Sequence, residues 1–188
     1  LQGAIWGTDG SNPGARAGDI IYLRSGVYRE NYWTWDENYG AAMAVSLRLN
    51  GTSWTNGAHT IIASYPGEWA VIDGNGAKFC FGYGGNSTGT GASGTYDLRY
   101  VKFERLEIRN GTEGGLVWNG GPVWVRYCYI HDNRMSGLSN YGGIRAYVPE
   151  NCIIEYNYFY NNGGFNDGHN SAQIFFFSDY RYGNQPQD

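Results

Sequence analysis

Ionisable side chains recur at equivalent positions of three segments in the second half of the chain. Segments 101–110, 123–132 and 152–161 align without gaps, and each alternates apolar and polar residues at its start. Such alternation predicts a strand with one buried face. The alignment places Arg109 and His131 on the same outward face. A guanidinium that neutralises an anion, beside an imidazole that accepts a proton, is a pattern suited to general-base chemistry.

A solvated surface explains the same pattern without any chemistry. A second outward column reads Glu104, Arg126 and Glu155, and its alternating charge predicts ion pairs between neighbouring strands. Exposed pairs of this kind contribute little stability each. His131 would then be an ordinary surface histidine beside Arg109, and both interpretations of their column stay open.

Oxygen-bearing side chains cluster at the end of the second segment and again one repeat later. Asp132 and Asn133 form the first cluster, and the second lies at 166–170, with Asp167 and Asn170. Carboxylate and amide oxygens are ligands that Ca²⁺ accepts, which makes Asp132 and Asp167 candidate metal ligands. The same residue types favour Asx-type turns, which is the structural alternative. No EF-hand, nucleotide-loop, serine-nucleophile or zinc motif is present in the sequence.

The elements that must position these residues form a repeat. The aligned segments start 22 and then 29 residues apart, and shorter strands are predicted after them at 116–118, 143–147 and 172–177. One coil of such strands cannot bury its own inner face, whereas stacked coils share a continuous core. The pattern therefore predicts an all-β fold, a parallel β-helix of about five coils.

Each aligned segment closes on a short polar residue, namely Asn110, Asp132 or Asn161. Asn and Asp tolerate the left-handed conformation and hydrogen-bond nearby backbone, so they suit a repeated corner. An antiparallel β-sandwich also has short strands and is the main alternative. It does not predict aligned corners in successive repeats.

Composition and length predict one domain over 1–188, with coils from about 18 to 180. Long loops are predicted at about 32–56 and 84–96, the second of which is rich in Gly, Ser and Thr. The net charge of −4 lacks the basic footprint of nucleic-acid-binding proteins. No apolar run approaches the roughly 18 residues needed to span a membrane.

Two early stretches resemble the pectate-lyase-like right-handed parallel β-helix superfamily. One reads Ala-Gly-Asp-Ile-Ile-Tyr-Leu-Arg-Ser-Gly-Val-Tyr-Arg-Glu at 17–30, and the other reads Ile-Ile-Ala-Ser-Tyr-Pro-Gly-Glu-Trp-Ala-Val-Ile-Asp-Gly at 61–74. The later strands that end in Asn are similar to the same superfamily. The resemblance implies an extracellular or cell-surface protein that acts on carbohydrate. Its members include polysaccharide lyases, glycoside hydrolases, uronate epimerases and adhesins, so it implies the fold more closely than the activity.

For a lyase, the resemblance implies β-elimination on an acidic polysaccharide. A base removes a proton next to a uronate carboxylate, which Ca²⁺ or a cationic side chain neutralises. Arg109, His131 and Arg134 are the candidate catalytic residues: an arginine would meet the carboxylate, and His131 or an arginine would act as the base. A uronate epimerase shares this first step, so the two activities are not separated.

Tyrosine rings supply candidate substrate contacts. Tyr129, Tyr158 and Tyr160 are predicted to point outward, where an aromatic ring can stack on the apolar face of a sugar. Tryptophans in the first long loop, at 33, 35 and 54, add to this set. Some of these rings are expected simply to pack loops onto the strands.

The ends of the chain depart from the superfamily. A capping helix usually separates an Asn-Pro-Gly element from the Gly-Asp strand, but here 12–14 run almost directly into 18–19. No cap is evident after the final strand either, so the β-helix is predicted to be truncated or uncapped. Open ends expose strand edges and invite self-association. A non-catalytic polysaccharide-binding or structural segment is therefore the alternative to the lyase.

Overall fold

The computed structural model describes residues 1, 5, 14–29, 43–47, 53, 55, 57–83, 98–133, 142–147, 149–163 and 172–177. Within them the regular structure is almost entirely β-strand, and Ile5 is the one helical residue. Val, Ile, Tyr and Phe dominate the strands, as expected of residues that favour a pleated, half-buried surface. No helix in this part of the chain is long and apolar enough to cross a membrane.

Fifteen strands, numbered in chain order, form three parallel five-stranded sheets in the described residues. Sheet A contains β1 (Ile20–Leu23), β4 (Thr60–Ser64), β7 (Val101–Glu104), β10 (Val123–Arg126) and β13 (Ile153–Glu155). Sheet B contains β2 (Gly26–Tyr28), β5 (Ala70–Asp73), β8 (Leu106–Arg109), β11 (Tyr129–His131) and β14 (Tyr158–Tyr160). Sheet C contains β3 (Met43–Leu47), β6 (Phe79–Tyr83), β9 (Gly114–Asn119), β12 (Gly142–Tyr147) and β15 (Ile174–Phe177).

Three consecutive strands, one in each sheet, form a unit that we call a triplet. Each strand pairs with the strand at the same position of the next triplet. All of these pairings are parallel across the described strands, which excludes the antiparallel sandwich and confirms an all-β parallel fold.

The register of the strands confirms the repeat read from the sequence. Val125 pairs with Phe103 on one side and Ile154 on the other. Ile130 pairs in the same way between Ile108 and Phe159 in sheet B. Inward side chains from the three sheets fill one core, whose largest fully buried members are Phe81, Phe103, Trp118, Ile62, Ile72, Leu98, Leu106, Ile108, Leu116, Ile130 and Ile144.

The predicted loop at 32–56 is partly strand. Met43–Leu47 forms β3 and pairs with β6, a strand that the repeat pattern also did not predict. The sequences of both strands, Met-Ala-Val-Ser-Leu and Phe-Cys-Phe-Gly-Tyr, lack the regular apolar and polar alternation of the aligned segments. The predicted loop at 84–96 lies outside the described residues. The shorter strands predicted after the aligned segments are confirmed as β9, β12 and β15.

Two sets of corners use positive φ angles. Between sheets B and C stand Asn110, Asp132 and Asn161, at +60°, +53° and +52°, and we call them the Asx corner. Between sheets A and B stand Arg105, Tyr127 and Tyr156, at +52°, +54° and +55°, and we call them the bulky corner. The Asx corner matches the prediction from the sequence. The bulky corner was not predicted from the sequence, because large side chains are rare in this region of backbone space.

Buried amides follow the Asx corner on the inside. The Nδ2 of Asn133 donates to the carbonyl oxygen of Ile108 at 3.1 Å and to Oδ1 of Asn162 at 3.0 Å. Its Oδ1 accepts a hydrogen bond from the backbone nitrogen of Gly111 at 3.0 Å. Asn162 repeats the pattern by donating to the carbonyl oxygen of Ile130 at 2.8 Å. These amides therefore tie successive triplets together from within the core.

The three cysteines are free thiols with different degrees of burial. Cys80 and Cys128 lie in the core, where burial raises the pKa of each thiol to about 12. Cys152 is half-buried before β13, and burial raises the pKa of its thiol as well. All three are therefore protonated thiols at neutral pH.

Candidate functional site

The outer face of sheet B brings the predicted polar column together. Because side chains alternate along a strand, Glu107 and Arg109 of β8 both point away from the core. Arg109 pairs with Asp73 of β5 and with His131 of β11, and His131 pairs with Tyr160 of β14. The predicted adjacency of Arg109 and His131 is therefore present in the strand register.

Arg109 lies between two carboxylates. Its Nη1 is 2.8 Å from Oε1 of Glu107, and its Nε is 3.4 Å from Oδ2 of Asp73. Asp73 also accepts a contact at 3.3 Å from Nε of Arg29. The guanidinium of Arg109 is thus already neutralised by groups of the protein itself.

His131 also has a carboxylate at each ring nitrogen. Nε2 is 3.2 Å from Oε1 of Glu107, and Nδ1 is 2.7 Å from Oδ2 of Asp132. Both ring nitrogens are therefore engaged by side chains of the protein itself. The Tyr129 ring stacks on the imidazole at 4.1 Å between centroids, and the His131 side chain is 10% exposed. The ring is therefore firmly oriented.

Asp73 is the buried anion of this network. Burial alone would raise its pKa, but hydrogen bonds from Nδ2 of Asn110 at 3.0 Å and the backbone nitrogen of Asn75 at 3.1 Å outweigh it. Together with Arg29 and Arg109 they lower the pKa of Asp73 below its ordinary value. Asp73 is a fixed negative charge at neutral pH and is not a proton donor.

Exposed tyrosines border this network. Tyr127 and Tyr156 of the bulky corner stack in parallel, with ring centroids 5.1 Å apart and an interplanar angle of 5°. Tyr158 and Tyr160 of β14 are 61% and 54% exposed, and Tyr156 is 69% exposed. We call Tyr127, Tyr156, Tyr158 and Tyr160 the tyrosine platform. Such rings offer flat apolar faces with a polar edge in water.

Sequence reasoning found only part of the platform. Tyr158 and Tyr160 are exposed as predicted, whereas Tyr129 is half-buried between His131 and Tyr158, whose ring meets it edge-on at 5.1 Å. Tyr127 and Tyr156 were not predicted, because strand alternation does not assign a direction to corner residues. Their equivalent positions in the aligned segments were the signal that could have found them. The tryptophans at 33, 35 and 54 lie outside the described residues.

The predicted calcium site is only partly described. The candidate ligands Asp167 and Asn170 lie outside the described residues, as does Arg134, which was predicted as a catalytic residue. Asp132 has both carboxylate oxygens engaged, Oδ2 by His131 and Oδ1 by Nδ2 of Asn161. Asn133 does not fit as a ligand, because its side chain is buried among core amides. In the described part of the chain no group of three or more His, Cys, Asp or Glu side chains is placed to hold a metal ion.

The outer face of sheet A carries the predicted charge ladder. Arg126 pairs in register with Glu104 and Glu155, and its Nε is 2.7 Å from Oε1 of Glu155. Glu104 instead contacts Nη1 of Arg105 at 3.3 Å. One ion pair thus joins adjacent triplets, and the other stays within one triplet.

No match was found when the chain was compared with protein-family models, with curated proteins and with solved structures.

Proposed function

We propose that the chain is a right-handed parallel β-helix. The strand order supports this proposal, because every third strand joins the same sheet and successive triplets pair in one continuous series. Inward columns such as Ile108, Ile130 and Phe159 pack as stacked coils require. Five triplets agree with the number of coils expected from the sequence.

We propose that this β-helix binds an acidic polysaccharide outside the cell through its tyrosine platform. The exposed, parallel stack of Tyr127 and Tyr156 is the observation that carries this proposal. Each ring that covers a sugar face removes apolar surface from water, and the repeat of the coils sets several rings along one side of the molecule. A polymer of repeating sugars suits a surface of repeating rings.

Lyase or epimerase activity at Arg109 and His131 is the second candidate function. In its favour, Asp132 orients the imidazole and Arg109 is its neighbour in the register. Against it, the guanidinium of Arg109 already contacts Glu107 and Asp73, so a substrate carboxylate would have to displace one of them, and both ring nitrogens of His131 already contact carboxylates. Binding without cleavage therefore fits the geometry better.

The binding proposal is tested by replacing two platform tyrosines. We expect Tyr156→Ala with Tyr158→Ala to weaken binding to pectate, alginate or heparin by about tenfold or more, since two stacking contacts are lost. Tyr22→Ala is the matched control, because Tyr22 is 45% exposed but lies in the first triplet. Affinity is measured by calorimetry. If the wild-type protein binds none of these polymers, or if the double variant binds as well as the control, the proposal is wrong.

The same polymers distinguish binding from cleavage. A lyase produces an unsaturated sugar whose ultraviolet absorbance rises with time, and loss of the rise on chelation would indicate Ca²⁺. We expect no rise for the binding protein. A rise that Arg109→Ala and His131→Ala both abolish would establish the lyase instead, and full activity in both variants would refute those two assignments.

A further inference from the structure

We infer that the charged group of an acidic sugar is bound on the outer face of sheet A, by Arg126 and Lys102 against Trp124, and not by Arg109 on sheet B. This inference rests on the proposed function and adds to it the part of the surface that recognises charge. We call Lys102, Trp124 and Arg126 the cationic subsite.

The cationic subsite is built around one indole ring. Nζ of Lys102 lies 4.4 Å from the centroid of the Trp124 ring, and the guanidinium carbon of Arg126 lies 5.4 Å from it. Lys102 and Trp124 are partners in the parallel register, and Arg126 follows Trp124 by two residues on the same face of the strand. Both cations are therefore held by the strands and by cation–π contact, and Arg126 is also held through Nε by its ion pair with Glu155.

The subsite continues directly into the tyrosine platform. The guanidinium carbon of Arg126 is also 5.5 Å from the centroid of Tyr127, which stacks on Tyr156. A sugar ring on this pair of tyrosines would thus have a guanidinium beside it. The fixed, planar fork of Arg suits a carboxylate or sulfate group.

The balance of charge favours sheet A over sheet B. Around the subsite three cations, Lys102, Arg105 and Arg126, face two carboxylates, Glu104 and Glu155. Around Arg109 two guanidiniums face three carboxylates, those of Asp73, Glu107 and Asp132, with His131 among them. The first surface is therefore the more favourable of the two for an approaching anion.

The state of Lys102 agrees with this assignment. Burial lowers the pKa of Lys102, and the neighbouring Arg126 lowers it further, while Glu104 acts in the opposite direction. An anion bound between Lys102 and Arg126 would offset both unfavourable effects. The charged form of Lys102 is therefore stabilised when an anion fills the subsite.

Pectate and fully methyl-esterified pectin test the inference, because they share a sugar backbone and differ in charge. We expect Lys102→Gln with Arg126→Gln to weaken binding of pectate by about tenfold at low salt, because charge-assisted hydrogen bonds are lost. The remaining binding should depend less on salt. Binding of the esterified polymer should stay unchanged. Lys102→Arg and Arg126→Lys keep the charges and should retain most of the affinity. They also provide a test if the double variant fails to fold.

Arg24→Gln is the matched control. Arg24 lies 5.1 Å from the ring of Tyr65 and 2.6 Å from Oε1 of Glu68, so it repeats the arrangement of Arg126 near the first two triplets. The inference is overturned if Arg24→Gln weakens pectate binding as much as the subsite variant, or if Arg109→Gln alone removes the preference for pectate. Wild-type protein that binds neither polymer would overturn the proposed function as well, whereas equal binding of both polymers through the tyrosines would overturn only the cationic subsite.

Discussion

In the third, fourth and fifth triplets, the Asx corner and the bulky corner solve the same backbone problem with different residues. At the Asx corner the left-handed positions hold Asn or Asp, whose side chains bond neighbouring triplets: Asn110 donates to Asp73, and Asn161 donates to Asp132. At the bulky corner the same φ range holds Arg105 and two tyrosines, whose side chains face solvent.

Under the proposed function, the Asx corner stabilises the fold and the bulky corner binds the ligand. A left-handed conformation costs roughly 1–2 kcal/mol for an ordinary residue, and less for Asn or Asp, which bond locally. Tyr127 and Tyr156 therefore occupy positions that Gly, Asn or Asp would fill with less strain. This strain agrees with the proposed role of the stacked pair in binding a polysaccharide. This reasoning supports the placement of the binding surface at the bulky corner.

The largest expected effect is at the buried amides behind the Asx corner. We expect Asn133→Ala to lower the free energy of unfolding by about 3 kcal/mol, because it leaves the Gly111 nitrogen and the Ile108 carbonyl without the side chain that now bonds them. Denaturant titration measures the change. Tyr127→Ala at the bulky corner serves as the comparison and should change stability by less than about 1 kcal/mol. Equal losses in both variants would remove the distinction between the corners.

The next effect depends on pH. Because the pKa of Asp73 is lowered in the folded protein, its carboxylate stabilises the fold above the ordinary pKa of 3.8, and this stabilisation disappears as the pH falls through the lowered value. We expect Asp73→Asn to lower the free energy of unfolding by about 2 kcal/mol at pH 7, the order of a hydrogen bond to a charged group.

Denaturant titrations of the wild type and Asp73→Asn between pH 7 and pH 2.5 check this dependence. The gap between the two proteins should narrow below pH 3.8. A gap that stays constant with pH would show that Asp73 stabilises the corner by shape and not by charge. Asn110→Ala, which removes one donor to Asp73, should give a smaller gap in the same direction.

The smallest expected change in stability sharpens the comparison most. Tyr156→Asn places at the bulky corner the residue type that the Asx corner uses. We expect the free energy of unfolding to rise by about 0.5 kcal/mol, because Asn tolerates positive φ better than Tyr does. Binding of pectate should weaken in the same variant. Asn161→Ala is the control, and it should lose stability while it keeps the affinity; a Tyr156→Asn protein with unchanged affinity would contradict the division of roles.

The parts of the molecule that could be predicted from the sequence are those in which apolar and polar residues alternate regularly. Alternation identified the strands of sheets A and B and the column of Arg109 and His131, because a residue on a pleated strand has only two directions. The same rule is silent at corners, so Tyr127 and Tyr156 were missed. Sheet C was harder to predict, since β3 and β6 lie within or beside long connections and lack alternation.

The carboxylate partners of the candidate site also needed the structure. Outward columns identify which side chains share a face, but they do not say which of them touch. Glu107 contacts both Arg109 and His131, and Asp132 turns back from the corner to His131. These contacts depend on rotamers, which the pattern of residue types does not encode. They also changed the interpretation of the site, from a free cation and base to a closed network.

The unequal burial of the three thiols makes the chain its own reporter of local opening. A labelling reagent attacks a thiolate that it can reach, so Cys152 should react first. Cys80 and Cys128 are buried, and the pKa of each thiol is raised to about 12, so they should react only when the core opens transiently. Cys80 belongs to β6 in the second triplet, and Cys128 lies between β10 and β11 in the fourth. The order and rate of their modification would therefore measure how fast each triplet opens, without any introduced probe.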